Sequence, residues 1–247
     1  MTRLLRKFYD AYIIYSSKCF YLYIYKTKDM KLIIYIFCML FITLNASATQ
    51  LSGTYSINPS ASATTTNFQN FSSAITYLTG SGTRSDGGPS NSSPFGVSSS
   101  VTFFVAAGTY TGQVNLAVTI PGISLINTVT FDGGNGNAST RIITYAGINS
   151  GSGYPTIAMF GISYITFRNL TINNTSSNNS ECVLISLSNN CRISNCILNQ
   201  PSPTGSNFCG IMFGGIFNGP ITASYRADSV LIDSNIFNTT GGSTFLE

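Results

Sequence analysis

From residue 101 onward, short runs of β-branched and aromatic residues alternate with clusters of Gly, Asn, Ser and Pro. The runs cover 101–105, 114–120, 123–131, 142–145 and 162–172. Their lengths and their punctuation predict strands. No 3.6-residue apolar period intervenes, so βαβ crossovers and a doubly wound sheet are excluded. One short helix is predicted ahead of them. Phe68, Phe71, Ile75 and Leu78 recur at spacings that put them on one helical face. Thr66 followed by Gln69 fits a capping box, and Gly80 supplies the stop. Residues 81–100, rich in Gly, Ser, Pro and Asn, read as a loop.

An internal repeat narrows the choice among all-β architectures. Phe167-Arg168-Asn169-Leu170-Thr171-Ile172-Asn173 is followed by Ile193-Ser194-Asn195-Cys196-Ile197-Leu198-Asn199, and then by Ile232-Asp233-Ser234-Asn235-Ile236-Phe237-Asn238. Each segment has a large apolar first residue, Asn or Ser third, a large apolar sixth residue and Asn seventh. Two residues ahead of each start stands another apolar position: Ile165, Cys191 and Val230. A weaker relative begins at Phe131-Asp132-Gly133-Gly134. A strand-only repeat that tolerates insertions predicts stacked turns with equivalent residues in columns one strand spacing apart. Asn173, Asn199 and Asn238 are expected to form a turn column, because Asn tolerates left-handed backbone and its amide can bond its own copy.

In these columns and in its leading segments, the sequence resembles the secreted right-handed parallel β-helix proteins of pectin-lyase-like fold common in Bacteroidetes. The resemblance is carried by Gly53-Thr54-Tyr55-Ser56-Ile57-Asn58, by Val101-Thr102-Phe103-Phe104-Val105-Ala106-Ala107-Gly108-Thr109-Tyr110 and by Asn127-Thr128-Val129-Thr130-Phe131-Asp132-Gly133. It implies an all-β chain: a right-handed parallel β-helix, or solenoid, whose N-terminal end is covered by the short helix. The fold hosts lyases, hydrolases and adhesins alike, so it does not assign an activity.

Ahead of the repeat, Met30-Lys31 leads an apolar run over 32–44 that ends in Ala46-Ser47-Ala48. This has the form of a secretory signal peptide over 30–48, cleaved between Ala48 and Thr49. The run is too short for a transmembrane helix, which needs about 20 residues. Residues 1–29 read as an upstream over-call or an extension, and 49–247 as the β-helix domain. The last repeat is followed by nine residues, too few and too polar to cover an apolar stack end. The domain is therefore expected to be truncated at its C-terminal side, with an edge open to edge-to-edge self-association.

Composition then restricts the chemistry. Charged residues are 8% of the chain, against about 25% in an ordinary soluble domain. The net charge of +4 comes from the front: 1–48 hold seven Lys/Arg and two acids, and 49–247 hold five Arg and six acids. A body at net −1, without Lys or His, excludes nucleic acid as a partner and excludes a Ser–His–acid triad. The resemblance implies, for the lyases of this fold, an Arg or Lys base working beside a uronate carboxylate. Only Arg168, Arg192 and Asp233 fall outward on neighbouring turns as weak catalytic candidates, and a solvated ion pair is the plainer reading. Asp228 and Asp233, the only near carboxylates, fall on opposite faces of a regular strand, which disfavours glycoside hydrolysis. Asp132-Gly133-Gly134-Asn135-Gly136-Asn137 offers one carboxylate, too few for Ca²⁺.

No metal or cofactor site is expected. Cys191 and Cys196 read as small apolar core residues, while Cys182 and Cys209, about one repeat apart, are the candidate disulfide pair. Tyr145, Tyr154, Tyr164 and Tyr225 are candidate sugar-stacking rings. The expectation is a secreted or cell-surface protein, structural, adhesive or glycan-contacting rather than catalytic. Its partner would be a polysaccharide or cell-surface glycan, with the membrane met only through the signal segment. The alternative is a polysaccharide lyase or glycoside hydrolase with catalytic residues partly beyond residue 247.

Overall fold

The computed structural model describes residues 13–16, 19–22, 50–147, 155–176, 180–200, 208–214, 226–239 and 244–246. The chain divides into two units, Met1–Ser47 and Ala48–Glu247. In the first, β1 (Ile13–Ser16) and β2 (Cys19–Leu22) pair antiparallel. The expected leader over 30–48 and its Ala48–Thr49 bond lie outside the described residues. No helix among the described residues is long and apolar enough to cross a membrane.

The second unit opens with β3 (Leu51–Ile57), β4 (Asn67–Phe68) and helix α1 (Phe71–Thr79). Then follow β5 (Val97–Val105), β6 (Gly108–Thr111) and β7 (Val114–Leu116). Next are β8 (Val129–Asp132), β9 (Arg141–Tyr145) and β10 (Pro155–Phe160). After these come β11 (Ile165–Arg168), β12 (Thr171–Asn174) and β13 (Ser180–Ser186). The order ends with β14 (Arg192–Ser194), β15 (Ile197–Gln200), β16 (Phe208–Phe213), β17 (Leu231–Asp233), β18 (Ile236–Thr239) and β19 (Thr244–Leu246).

These strands form three parallel sheets. Sheet I runs β17-β14-β11-β8-β5-β3-β4, sheet II β18-β15-β12-β9-β6, and sheet III β19-β16-β13-β10-β7. From β5 on, the chain visits sheets I, II and III in that order, and each strand pairs with its counterpart one circuit earlier. The unit is all-β with stacked parallel strands, compatible with a β-solenoid. Inward residues of all three sheets join one apolar cluster, among them Phe131 and Phe167, Ile143 and Ile172, Ile157 and Ile185.

The register reproduces the columns expected from the repeat. Phe103 pairs with Phe131, Phe131 with Phe167, Phe167 with Ile193 and Ile193 with Ile232. Ile172, Leu198 and Phe237 align likewise, as do Asn173, Asn199 and Asn238. The asparagine column, however, lies within the strands of sheet II rather than in a turn. The Asn238 amide there donates to Asn199 Oδ1 at 2.9 Å. The left-handed corner falls instead at the third position of the repeat, where φ is 57° at Asn169, 50° at Asn195 and 56° at Ser234. Short polar side chains tolerate that conformation better than bulky ones do. The run over 162–172 is accordingly two strands broken at Asn169.

Two further expectations are corrected. The helix is capped not by Thr66 and Gln69 but by Asn70, whose side chain accepts from Ser73 N at 2.7 Å. Parallel pairing of Ser56 with Asn67 and of Ile57 with Phe68 draws 67–68 into sheet I and leaves Asn70 as the first free cap. The stop at Gly80 stands: its φ is 67° and its N–H bonds Thr76 O at 2.8 Å. In the run over 123–131 only Val129 onward is strand. Residues 121–127 form a turn closed by Ser124 N–H to Asn127 O at 3.0 Å, and it leaves Leu125 and Ile126 exposed.

Candidate functional site

The charged candidates sit on the outer face of sheet I, in the column Asp132, Arg168, Ser194, Asp233 and the adjoining position Arg192. Arg168 Nη2 lies 2.8 Å from Asp132 Oδ2. Asp132 Oδ1 also accepts from Asn169 Nδ2 at 2.7 Å and from Gly134 N at 2.8 Å. Burial alone would raise the Asp132 carboxyl, but the bonds from Asn169, Gly134 and Arg168 outweigh it and hold the group below the usual carboxylate range. One circuit on, Arg192 grips Asp233 through two bonds, Nε to Oδ1 at 2.9 Å and Nη2 to Oδ2 at 2.7 Å. The bond from Arg192 depresses Asp233 and in turn keeps Arg192 protonated.

The structure therefore brings Arg168, Arg192 and Asp233 onto one face, but as two separate ion pairs. Arg192 is not poised as a base, which would need a lowered rather than a raised pKa. The remaining described aspartates are held in the same way, Asp86 by Arg84 and Asp228 by Arg226. Asp132 is committed to Arg168 and Asn169, so the Gly/Asn turn after it has no carboxylate to spare for Ca²⁺. Among the described residues no group of three or more His, Cys, Asp or Glu could hold a metal.

The candidate disulfide is not formed, since Cys182 is a free, buried thiol. Cys209 pairs with Glu181, so Cys182 stands one position out of register. The two-residue alternation then aims the two sulfurs at opposite faces of sheet III. Burial pushes the Cys182 thiol up to about 12, and its Sγ–H donates to Asn199 O at 3.3 Å. Cys191 and Cys196 are buried in the apolar cluster, as small core residues. Tyr145 and Tyr164 are half-buried, while Tyr154 and Tyr225 lie outside the described residues.

A different site emerges at the corner between sheets I and II. The eight-residue connection from β8 to β9 carries Asn135, Gly136, Ala138 and Ser139 over the corner of the next circuits. It is tied down there by Thr171 Oγ1 donating to Ala138 O at 2.9 Å. Between it and the left-handed corner runs a groove of about 310 Å³. Asn195 and Ser234 line it together with the aliphatic Ile197 and Ile236. Ile236 is 57% exposed. Among the described residues, the side-chain polar atoms of Asn135, Ser139, Asn195 and Ser234 make no hydrogen bond to protein. The sequence held half of this signal, in the third-position column Asn169, Asn195, Ser234; the overhanging loop could not be placed without the stacking. No family model, no curated protein and no solved structure matches the chain.

Proposed function

We propose that this chain is an exported, right-handed parallel β-helix acting as a non-catalytic structural or adhesive module that contacts glycans at the cell surface. One observation carries the reading: every described aspartate is bound by an arginine. The body has neither Lys nor His to replace them, so no described aspartate is free to exchange a proton with a substrate. A neutral outer surface of Ser, Thr and Asn supports contact with hydroxylated polymers.

The test is incubation of the protein with uronate and neutral polysaccharides, followed by assay for unsaturated and reducing ends. No release is expected. Release that disappears in Arg168→Ala would replace this reading with a lyase. Export is tested by N-terminal sequencing, which should find Thr49 first.

A further inference from the structure

We propose that the corner groove is a binding site for a neutral oligosaccharide, an inference that rests on the glycan-contacting reading and names its site and ligand class. The first support is a contrast between two neighbouring polar columns. In sheet II the outward amides satisfy one another or a neighbouring hydroxyl: Asn238 donates to Asn199 Oδ1 at 2.9 Å, and Asn173 to Thr144 Oγ1 at 3.3 Å. In the groove the amides of Asn135 and Asn195 and the hydroxyls of Ser139 and Ser234 are all unclaimed among the described residues. Asn195 and Ser234 occupy the same corner position on successive circuits, so they project in parallel about 4.8 Å apart.

The second support is the aliphatic lining. Ile197 and Ile236, paired on neighbouring strands of sheet II, line the same groove as these donors and acceptors. A sugar ring presents C–H groups on its face and hydroxyls on its edge, which matches a groove lined by both aliphatic and polar groups. Amides and hydroxyls both donate and accept, as hydroxylated ligands require. The third support is charge. On the adjoining face of sheet I, Asp132 with Arg168 and Arg192 with Asp233 are already neutralised as pairs. Arg141, two residues past Ser139, has no carboxylate partner among the described residues. Its guanidinium, however, donates to Val105 O, Asn137 O and Thr140 Oγ1 and does not line the groove. A neutral occupant is therefore favoured over a polyuronate or a nucleic acid.

The experiment titrates the full chain with cellohexaose, xylohexaose, mannohexaose and hexagalacturonate, followed by calorimetry and NMR. At least one neutral hexasaccharide should bind, and hexagalacturonate more weakly. Asn195→Gly deletes the amide while keeping the left-handed backbone at ease, and should weaken binding roughly tenfold. Ser139→Trp should fill the groove and abolish binding, whereas Asn199→Ala, on the self-satisfied column, should leave it unchanged. Cooperative melting of each variant close to that of the wild type separates these effects from misfolding. Preferred binding of the acidic sugar, neutral binding indifferent to Asn195→Gly and Ser139→Trp, or no binding of any sugar would each overturn the site. Turnover of a sugar would instead overturn the non-catalytic reading.

Discussion

The early circuits of the second unit and its later ones share a register but not a way of filling it. In the early circuits the first inward column of sheet I is aromatic. Phe103 stacks on Phe131 with centroids 5.1 Å apart, and Phe131 on Phe167 at 4.8 Å. The same column continues as Ile193 and then Ile232, which is only half-buried, as is Phe237 in sheet II. The early end also has a cover. Helix α1 buries Phe71, Ile75 and Leu78, and behind it Arg84 lies buried over the Phe68 ring at 4.4 Å while gripping Asp86. One pairing pattern therefore supports regions of different packing quality, and stability should be concentrated where aromatic stacking and the cap coincide.

The largest expected effect tests that concentration directly. Phe131→Ala removes the middle ring of the stack from a fully buried position, at a cost of about 4 kcal/mol. Phe237→Ala, at a half-buried position, should cost less than half as much in the same urea titration. Equal losses would show that the aromatic end is no tighter than the rest.

Next comes the buried pair behind the helix. Asp86 accepts Arg84 Nε at 2.9 Å and Nη2 at 2.7 Å, and its Oδ2 also accepts Gln69 N at 3.0 Å. Asp86→Asn leaves a buried guanidinium without its counter-ion, a loss of about 3 kcal/mol. Burial would raise this carboxyl, but the Arg84, Gln69 and Gly88 bonds and the Arg84 charge pull it down to about 2. A carboxyl depressed below its unfolded value, about 3.9, adds stability that is fully present above that value. The contribution is lost as pH falls from there through about 2. Melts should therefore show the gap between wild type and Asp86→Asn narrowing between pH 4 and pH 2. A gap constant over that window would remove the pair from the account of the cap.

This contrast between ends was only partly visible in the chain itself. The repeat segments gave the inward columns and their alignment, because apolar positions recurring at matched offsets leave little freedom of register. Of the sheet III strands, the predicted runs cover only β7, within 114–120, and not β10, β13 or β16. In β10 and β13 nearly every described residue is buried, so Pro155-Thr156-Ile157-Ala158-Met159 and Cys182-Val183-Leu184-Ile185 lack the alternation that marks a half-exposed strand. Arg84 and Asp86 looked like loop residues, although they are the only charges between 49 and 131. An isolated Arg and Asp two residues apart in so neutral a stretch was the available signal. The groove depended on which loop overhangs which corner, and no local pattern encodes that.

A smaller effect should come from the corner column, where the same position is occupied differently along the stack. Gly133 N–H bonds Arg168 O at 3.0 Å, and a Cβ on Gly133 would run into the Asn169 carbonyl oxygen. Backbone cannot yield as a side chain can, so Gly133→Ala should cost about 1–3 kcal/mol. At Asn195, two circuits later, substitution by Gly should change stability by no more than about 0.5 kcal/mol. Chemical denaturation of both variants compares the corner at its early and later ends. A neutral Gly133→Ala would mean that the circuits can separate locally without cost.

The smallest effect belongs to the outward asparagines of sheet II, which lie on the later circuits but take no part in the core. Asn199 accepts the Asn238 amide on its Oδ1, and Asn238 is exposed. Asn199→Ala deletes one neutral hydrogen bond whose donor can turn to water, so the cost should be about 0.5–1 kcal/mol. For a domain of this size that lowers the melting temperature by about 1–4 °C. The backbone carbonyl of Asn199 still accepts from Cys182 Sγ at 3.3 Å, so the strand keeps that contact and the thiol stays shielded. Alkylation of Cys182 in the native variant should therefore remain as slow as in the wild type. Faster labelling, or a loss near that of Phe131→Ala, would show that the amide column helps to hold the later circuits together. In that event the packing contrast would arise from the outer face as well as from the core.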